Sequence, residues 1–424
     1  MTSEEIVFAE THEGVPVMTE VIPGSASAGF MVAVKTGSRD ESTEIMGISH
    51  LLEHTVFRQT TSSTSYQMAK DIEGAGGELN AFTGKEMTAF FGVTLKDTAL
   101  TAQRLVADIV SHPLINEADT ELEKQIVLQE LSMVKSEPEE YIHDLFEENL
   151  WRGHSLGQDE GGTEESVTAL TSQNLRDYYA ERYGRPSLAV FATGAVDPND
   201  VVLWAQNAFD GLKAKKPKPR RAPILSKAGY FYHENATEHC HVALGFPAQV
   251  VTEEDRMSLS VLSALIGMGT SSRMFQQVRE QKALVYEVFN ETEHFSDSSY
   301  MATFLSCTGR NVIKAMQAVC AIYDKVARDG TERGELARTK NLVKGAVVRS
   351  MEPTEDRLCR LCRDYAAHSR CRNMTQILHG IDNVTEDDIM QMAQRIIRAD
   401  HLNVTVLGKC NDNVQKFDIA SLKL

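Results

Sequence analysis

Residues Glu117–Pro138 read EADTELEKQIVLQELSMVKSEP, a run of strong helix formers that stops at Glu137-Pro138. The same ending returns as Met351-Glu352-Pro353 after a second helical run, Glu332 to Arg349, at an offset of 215 residues. What precedes each run returns as well. Strand-like Thr88 to Leu95 and an amphipathic stretch from Asp97 to Val110 lead into the first, and Tyr300 to Ser306 and Asn311 to Ala327 lead into the second. Self-similarity at a fixed offset marks a duplicated architecture, so two homologous domains are expected. Between them lies Lys213-Ala214-Lys215-Lys216-Pro217-Lys218-Pro219-Arg220-Arg221, a strongly basic, proline-interrupted segment. It reads as a linker over 213–223 that separates domains at 1–212 and 224–424. Neither half alternates strand and helix as βαβ units do. The class expected is therefore α+β, each domain a mostly antiparallel sheet with helices packed on one face.

The composition narrows the function. A chain of 424 residues with 42% hydrophobic and 24% charged residues can bury two substantial cores. Its formal net charge of -17 argues against a nucleic-acid partner, which needs Lys and Arg to neutralise phosphates, and suits peptides, basic ones above all. No apolar run approaches the ~20 residues that span a bilayer, and Leu188 to Val196 reads as a buried strand. Met1-Thr2-Ser3-Glu4-Glu5 carries neither a secretory signal nor an arginine-rich presequence, which points to the cytoplasm. The seven cysteines, all between Cys240 and Cys410, are not spread as a disulfide framework and suit a reducing compartment. Gly74-Ala75-Gly76-Gly77 leads into apolar Leu79 to Phe82, so it is a turn before a strand and not a phosphate cradle.

One segment carries chemistry. Met46 to Phe57 has helical spacing and no proline, and His50 and His54 stand four apart on one face. Two imidazoles so placed can share a tetrahedral zinc. Glu53 lies on the same side, where its carboxylate could reach a water at the metal. His50-Leu51-Leu52-Glu53-His54 is thus the reversed form of the commoner H-E-x-x-H signature. The plain alternative is a helix that carries these residues by chance. A third ligand is available in the opening stretch, where Glu123, Val127, Glu130 and Val134 form a stripe at 4-3-4 spacing. Carboxylates on an apolar face are costly unless paired or metal-bound. One of the two glutamates as ligand, the other bonding a ligating histidine, would relieve that cost, and spacing alone does not choose between them.

The chain resembles the pitrilysin-like zinc peptidases, in the branch of the mitochondrial processing peptidase and its bacterial and archaeal relatives. The resemblance rests on Lys35-Thr36-Gly37-Ser38-Arg39-Asp40-Glu41, Gly47 through His54 and Gly76-Gly77-Glu78-Leu79-Asn80-Ala81-Phe82-Thr83, in that order, and extends over nearly the whole length. It implies Glu130 as third ligand and Glu123 as the support of a ligating histidine. It implies an edge strand over Gly77 to Thr83 to which an extended peptide adds, with Asn80, Ala81 and Phe82 in contact with substrate. It also makes Arg279 and Tyr286 hydrogen-bond donors to the substrate's carbonyl or carboxylate oxygens. Ala283 stands where relatives commonly have glycine. At the offset of 215, Glu130 corresponds to Gly345, Glu123 to Arg338 and His50 to the neighbourhood of Leu265, so the second half lacks the metal set and one Zn2+ per chain is expected.

The activity implied is metalloendopeptidase hydrolysis of unstructured peptides or leader segments inside a chamber enclosed on dimerisation, with Glu53 as general base. Both the zinc set and the Arg/Tyr pair occur in this chain, which favours a homodimer over a heterodimer with a homologous subunit. The rival from another class is a non-catalytic peptide-binding or scaffold subunit. Cys359, Cys362, His368 and Cys371 could be read as a second site, but cysteines at helical spacing are more often core residues. His239 and His241 alternate along a strand and are read as structural or interfacial.

Overall fold

Strands that read as continuous apolar runs, without alternation, are covered on both faces. Two of them organise the first half: β3 (Ser27–Val34) and β6 (Leu188–Gly194) sit side by side in a six-stranded sheet and are buried along almost their whole length. The computed structural model describes residues 5–213, 216–217, 219–250 and 252–424. Met1 to Glu4, and Ala214, Lys215 and Lys218 of the basic segment, lie outside the described residues. The remaining strands of the first sheet are β1 (Glu5–Glu10), β2 (Pro16–Val21), β4 (Glu78–Thr83) and β5 (Thr88–Leu95), in the order β1-β2-β6-β3-β5-β4. Among the described residues of this sheet only β2 and β6 pair in parallel.

The second sheet contains β7 (Gly229–His233), β8 (His239–Ala248), β9 (Glu287–His294), β10 (Ser299–Thr308) and β11 (Asn403–Leu407) in the order β7-β11-β8-β10-β9. Again one pair, β7 with β11, is parallel. Removing β1 from the first sheet leaves the same order and the same parallel pair, so the repeat read from the two Glu-Pro marks is a repeat of topology.

The helices repeat too. After α1 (Ile48–Val56) the first half has α2 (Ala99–Ser111), α3 (Glu117–Ser136) and α4 (Pro138–Leu150). After α5 (Glu253–Gly267) the second has α6 (Val312–Asp329), α7 (Glu335–Ser350) and α8 (Thr354–His368). The α+β class and the two largely antiparallel sheets agree with expectation.

The division by packing is not the contiguous one at 212 and 224. One unit comprises the chain up to Leu131, Gln158–Arg221 and Val348–Met374; the other comprises Ser132–Gly157, Ala222–Val347 and Thr375–Leu424. Each sheet has two apolar faces, and its own half covers only one. In the first unit Phe30, Val32 and Val34 meet helices of the first half, whereas Met31, Ala33 and Phe191 meet Leu358, Leu361 and Tyr365 of α8. In the second, α4 places Ile142, Leu145 and Phe146 against Ala243, Ala302 and Phe304. The helices expected on one face are therefore joined on the other by a helix from the opposite half. A buried charge pair ties α8 to its sheet: Glu20 on β2, 1% exposed, accepts from Arg360 Nη2 at 2.7 Å.

Candidate metal centre

α1 starts at Gly47, whose φ of 84° favours glycine. A Cβ there would also stand 2.4 Å from the Gly161 carbonyl oxygen. The helix end is capped from outside its own first residue: the buried Glu41 carboxylate accepts from Gly47 N at 2.7 Å and Ser49 N at 2.8 Å. Burial pushes the Glu41 carboxyl up to about 8, against the pull of those hydrogen bonds. Ile48, Leu51, Leu52 and Val56 fill the core, which leaves His50, Glu53 and His54 on the opposite side.

His50 Nε2 and His54 Nε2 face each other at 3.3 Å. α3 brings Glu130 to them, its Oε2 at 3.4 Å from His54 Nε2 and 3.8 Å from His50 Nε2. Two helical turns earlier Glu123, 5% exposed, meets the other nitrogen of His54, with Oε2 at 3.1 Å from Nδ1 and Oε1 at 3.5 Å from Arg58 Nη1. A His54 Nδ1–H donating to that carboxylate leaves a lone pair on Nε2. Burial, then the neighbouring His54, drives the His50 pKa down to about 4, so its ring is neutral near pH 7.

Nε2 of His50, Nε2 of His54 and Oε2 of Glu130 thus converge on one point, an arrangement suited to a cation among them. Tetrahedral zinc with Zn–N near ~2.0–2.1 Å has ligand atoms separated by about 3.3–3.4 Å, close to the two shorter edges of this triangle. The donor set fits zinc. Among the described residues it is the one grouping of three or more His, Cys, Asp or Glu atoms able to close on an ion.

Glu53 is not part of that trio. Its Oε2 accepts a hydrogen bond from Thr83 Oγ1 at 2.5 Å, and burial raises its pKa, opposed by the Thr83 bond and His54 and assisted by Glu130. Neither Thr83 nor Glu41 was singled out from the sequence. Thr83 acts on a residue 30 positions away and Glu41 on backbone groups six and eight positions on, and no spacing rule signals either.

β4 is the edge of its sheet, as the resemblance implied, with Asn80 exposed and Ala81 and Phe82 half-buried. In the other unit Arg279 lies in the irregular turn Phe275–Glu280 with its guanidinium 4.7 Å from the centre of the Phe275 ring. Tyr286 precedes β9, is 57% exposed and meets the His239 ring edge-on at 4.7 Å. Between them Ala283 adopts φ 48°, the left-handed region that favours glycine. Cys362 is buried with Met31 and Phe191, and Cys359 and Cys371 pack against the same cluster, in accord with the core reading.

Residues 16–164 match the description "Insulinase (Peptidase family M16)" and residues 169–343 match "Peptidase M16 inactive domain". Three proteins named as uncharacterized zinc proteases are similar over most of their length. That of Streptomyces coelicolor is 31% identical over 408 residues, 94% of this chain and 88% of its own. That of Mycobacterium leprae is 32% identical over 400 residues (93% and 90%), and that of Bacillus subtilis 30% over 397 (92% and 95%). Among solved structures, a protease from Helicobacter pylori superposes with a TM-score of 0.87 at 20% identity, covering 96% of this chain and 100% of that one. A chain of Complex III2 from Candida albicans superposes with a TM-score of 0.86 at 17% identity, covering 98% of each. These two likenesses concern the fold.

Proposed function

Because the chain belongs to peptidase family M16, the insulinase family, we propose that it is a zinc metalloendopeptidase acting on unstructured peptides or leader segments. The observation that carries the reading is the convergence of His50, His54 and Glu130 beside a half-buried carboxylate, Glu53, that is left out of the trio. In this reading one Zn2+ per chain is held by His50, His54 and Glu130, and Glu123 fixes the tautomer and orientation of His54. Bound zinc supplies Lewis acidity, polarising the scissile carbonyl and making a nearby water more acidic. Glu53 takes the proton of the attacking water and passes it to the leaving amine. The substrate pairs as an extra strand with β4 along Asn80, Ala81 and Phe82. Arg279 and Tyr286 donate hydrogen bonds to substrate oxygens, and the exposed phenol of Tyr286 suits that task.

No described helix is long and apolar enough to cross a membrane. Seven unpaired cysteines suit a reducing compartment, and a cytoplasmic homodimer, with a heterodimer as the alternative, belongs to the proposal.

A second reading is a non-catalytic peptide-binding or scaffold subunit, favoured by the fold shared with a chain of Complex III2. Glu53→Gln separates the two. Under the enzyme reading it keeps zinc and binds a quenched peptide while kcat falls by ~10²–10⁴-fold. Unchanged turnover in that variant would end the assignment of Glu53, and no zinc-dependent turnover in the parent chain would favour the scaffold.

A further inference from the structure

Resting on the peptidase reading, we propose that Thr83 is the positioning residue of the reaction: its hydroxyl, delivered by the edge strand β4, holds Glu53 in the orientation that accepts the water's proton. A glutamate on a helix has several rotamers, and fixing such a side chain costs conformational entropy. Something must therefore hold Glu53 if it is to meet water in one geometry. Among the described residues Thr83 Oγ1 is the hydrogen-bond donor that reaches this carboxylate, at 2.5 Å from Oε2. That separation falls in the range of O–H···O⁻ bonds to an ionised acceptor, the strong kind.

Thr83 is itself well fixed. Its backbone is in register with Thr88 of β5, and its β-branched side chain is stiff at χ1. Leu79, Ala81 and Thr83 share one face of the strand. Leu79 and Ala81 pack on the core that contains Leu51 and Leu52 of α1, so Thr83 is the polar end of a row that is otherwise anchored in that core. The hydroxyl occupies Oε2 and leaves Oε1 as the acceptor for a water proton. Thr83 does not touch the reacting atoms in this arrangement. It sets the aim of a group that does, from the same strand that is proposed to pair with substrate.

Two variants test this in the full chain. Thr83→Val keeps shape and strand propensity but removes the donor; Thr83→Ser keeps the donor. Kinetics on a quenched peptide are read beside zinc affinity by chelator competition, thermal melting, and the carboxyl ¹³C resonance of Glu53 in glutamate-labelled protein, identified by its loss in Glu53→Gln. The expected result is a fall in kcat of about tenfold or more in Thr83→Val, part of the ~10²–10⁴-fold a general base contributes. KM, zinc affinity and melting stay near the parent values, the Glu53 resonance shifts, and Thr83→Ser recovers most of both changes. An unmoved resonance or an unchanged kcat in Thr83→Val overturns the proposal, as does a Thr83→Ser variant impaired as deeply as the valine one. A parent chain that binds zinc but cleaves nothing overturns the peptidase reading instead, and the resonance still decides whether Thr83 holds Glu53.

Discussion

His54 stands between two carboxylates, Glu130 at its Nε2 and Glu123 at its Nδ1, and this asymmetry sets what each glutamate can do. Glu123 is nearly inaccessible and also reaches Arg58, so it is built into the protein, whereas the Glu130 side chain is 43% exposed and can turn toward an ion. Glu123→Gln is therefore expected to leave the fold intact and lower zinc affinity by ~10–100-fold, the usual cost of losing a carboxylate behind a ligating histidine. Competition against a chelator of known affinity measures it, and an affinity equal to the parent's would remove Glu123 from the site. The histidine pair was legible in the sequence because i,i+4 spacing on a helix is a local property. The choice between Glu123 and Glu130 was not, because both lie on one stripe of α3, and which turn meets α1 depends on how the two helices are packed.

At the scale of elements, α1 illustrates the same limit. Its existence and its polar face follow from Met46 to Phe57, but its cap lies six to eight residues upstream at Glu41, outside any capping-box pattern. The cap has a pH signature whose sign can be worked out. Burial lifts the Glu41 carboxyl in the folded chain from the ordinary 4.5 to about 8. Between those values the unfolded chain has released the proton and the folded chain has kept it. The folded state is then favoured most below the unfolded pKa, and stability falls as pH rises from about 4.5 to about 8 before levelling. Glu41→Gln does not titrate and so lacks this slope, while its amide places a donor against one of two N–H groups and costs about 1 kcal/mol. Urea midpoints measured from pH 5 to pH 8 should show the variant less stable at the acid end and the gap closing as pH rises. A gap that stays level from pH 5 to pH 8 would mean that Glu41 does not titrate in this range, as when it is held ionised.

For the whole molecule, the duplicated order of strands and helices was readable from two Glu-Pro marks, yet the exchange of α4 and α8 was not. Helical periodicity tells that a helix has an apolar face and not which sheet receives it. The information sits in the strands instead. The unbroken runs SAGFMVAV of β3 and LAVFATG of β6 require cover on both faces, and the helices of the first half supply one. α8 supplies the other, with Leu358 so close to β3 that a Cβ on Gly29 would stand 2.8 Å from its Cδ1. A substitution in the second half of the chain should therefore loosen the first. Leu361, fully buried against that sheet, is the case to examine: Leu361→Ala removes core contacts at a cost of ~2–5 kcal/mol. Amide hydrogen exchange should accelerate in Ser27–Val34 and Leu188–Gly194, some 170 residues or more away in sequence, and much less in His239–Ala248 of the half to which Leu361 belongs. Contiguous domains would give the opposite pattern, with β8 loosened and β3 untouched. The candidate metal centre hangs from the same unit, because α1 packs on the core whose sheet α8 covers from behind. Zinc affinity in Leu361→Ala should accordingly weaken together with the protection of β3.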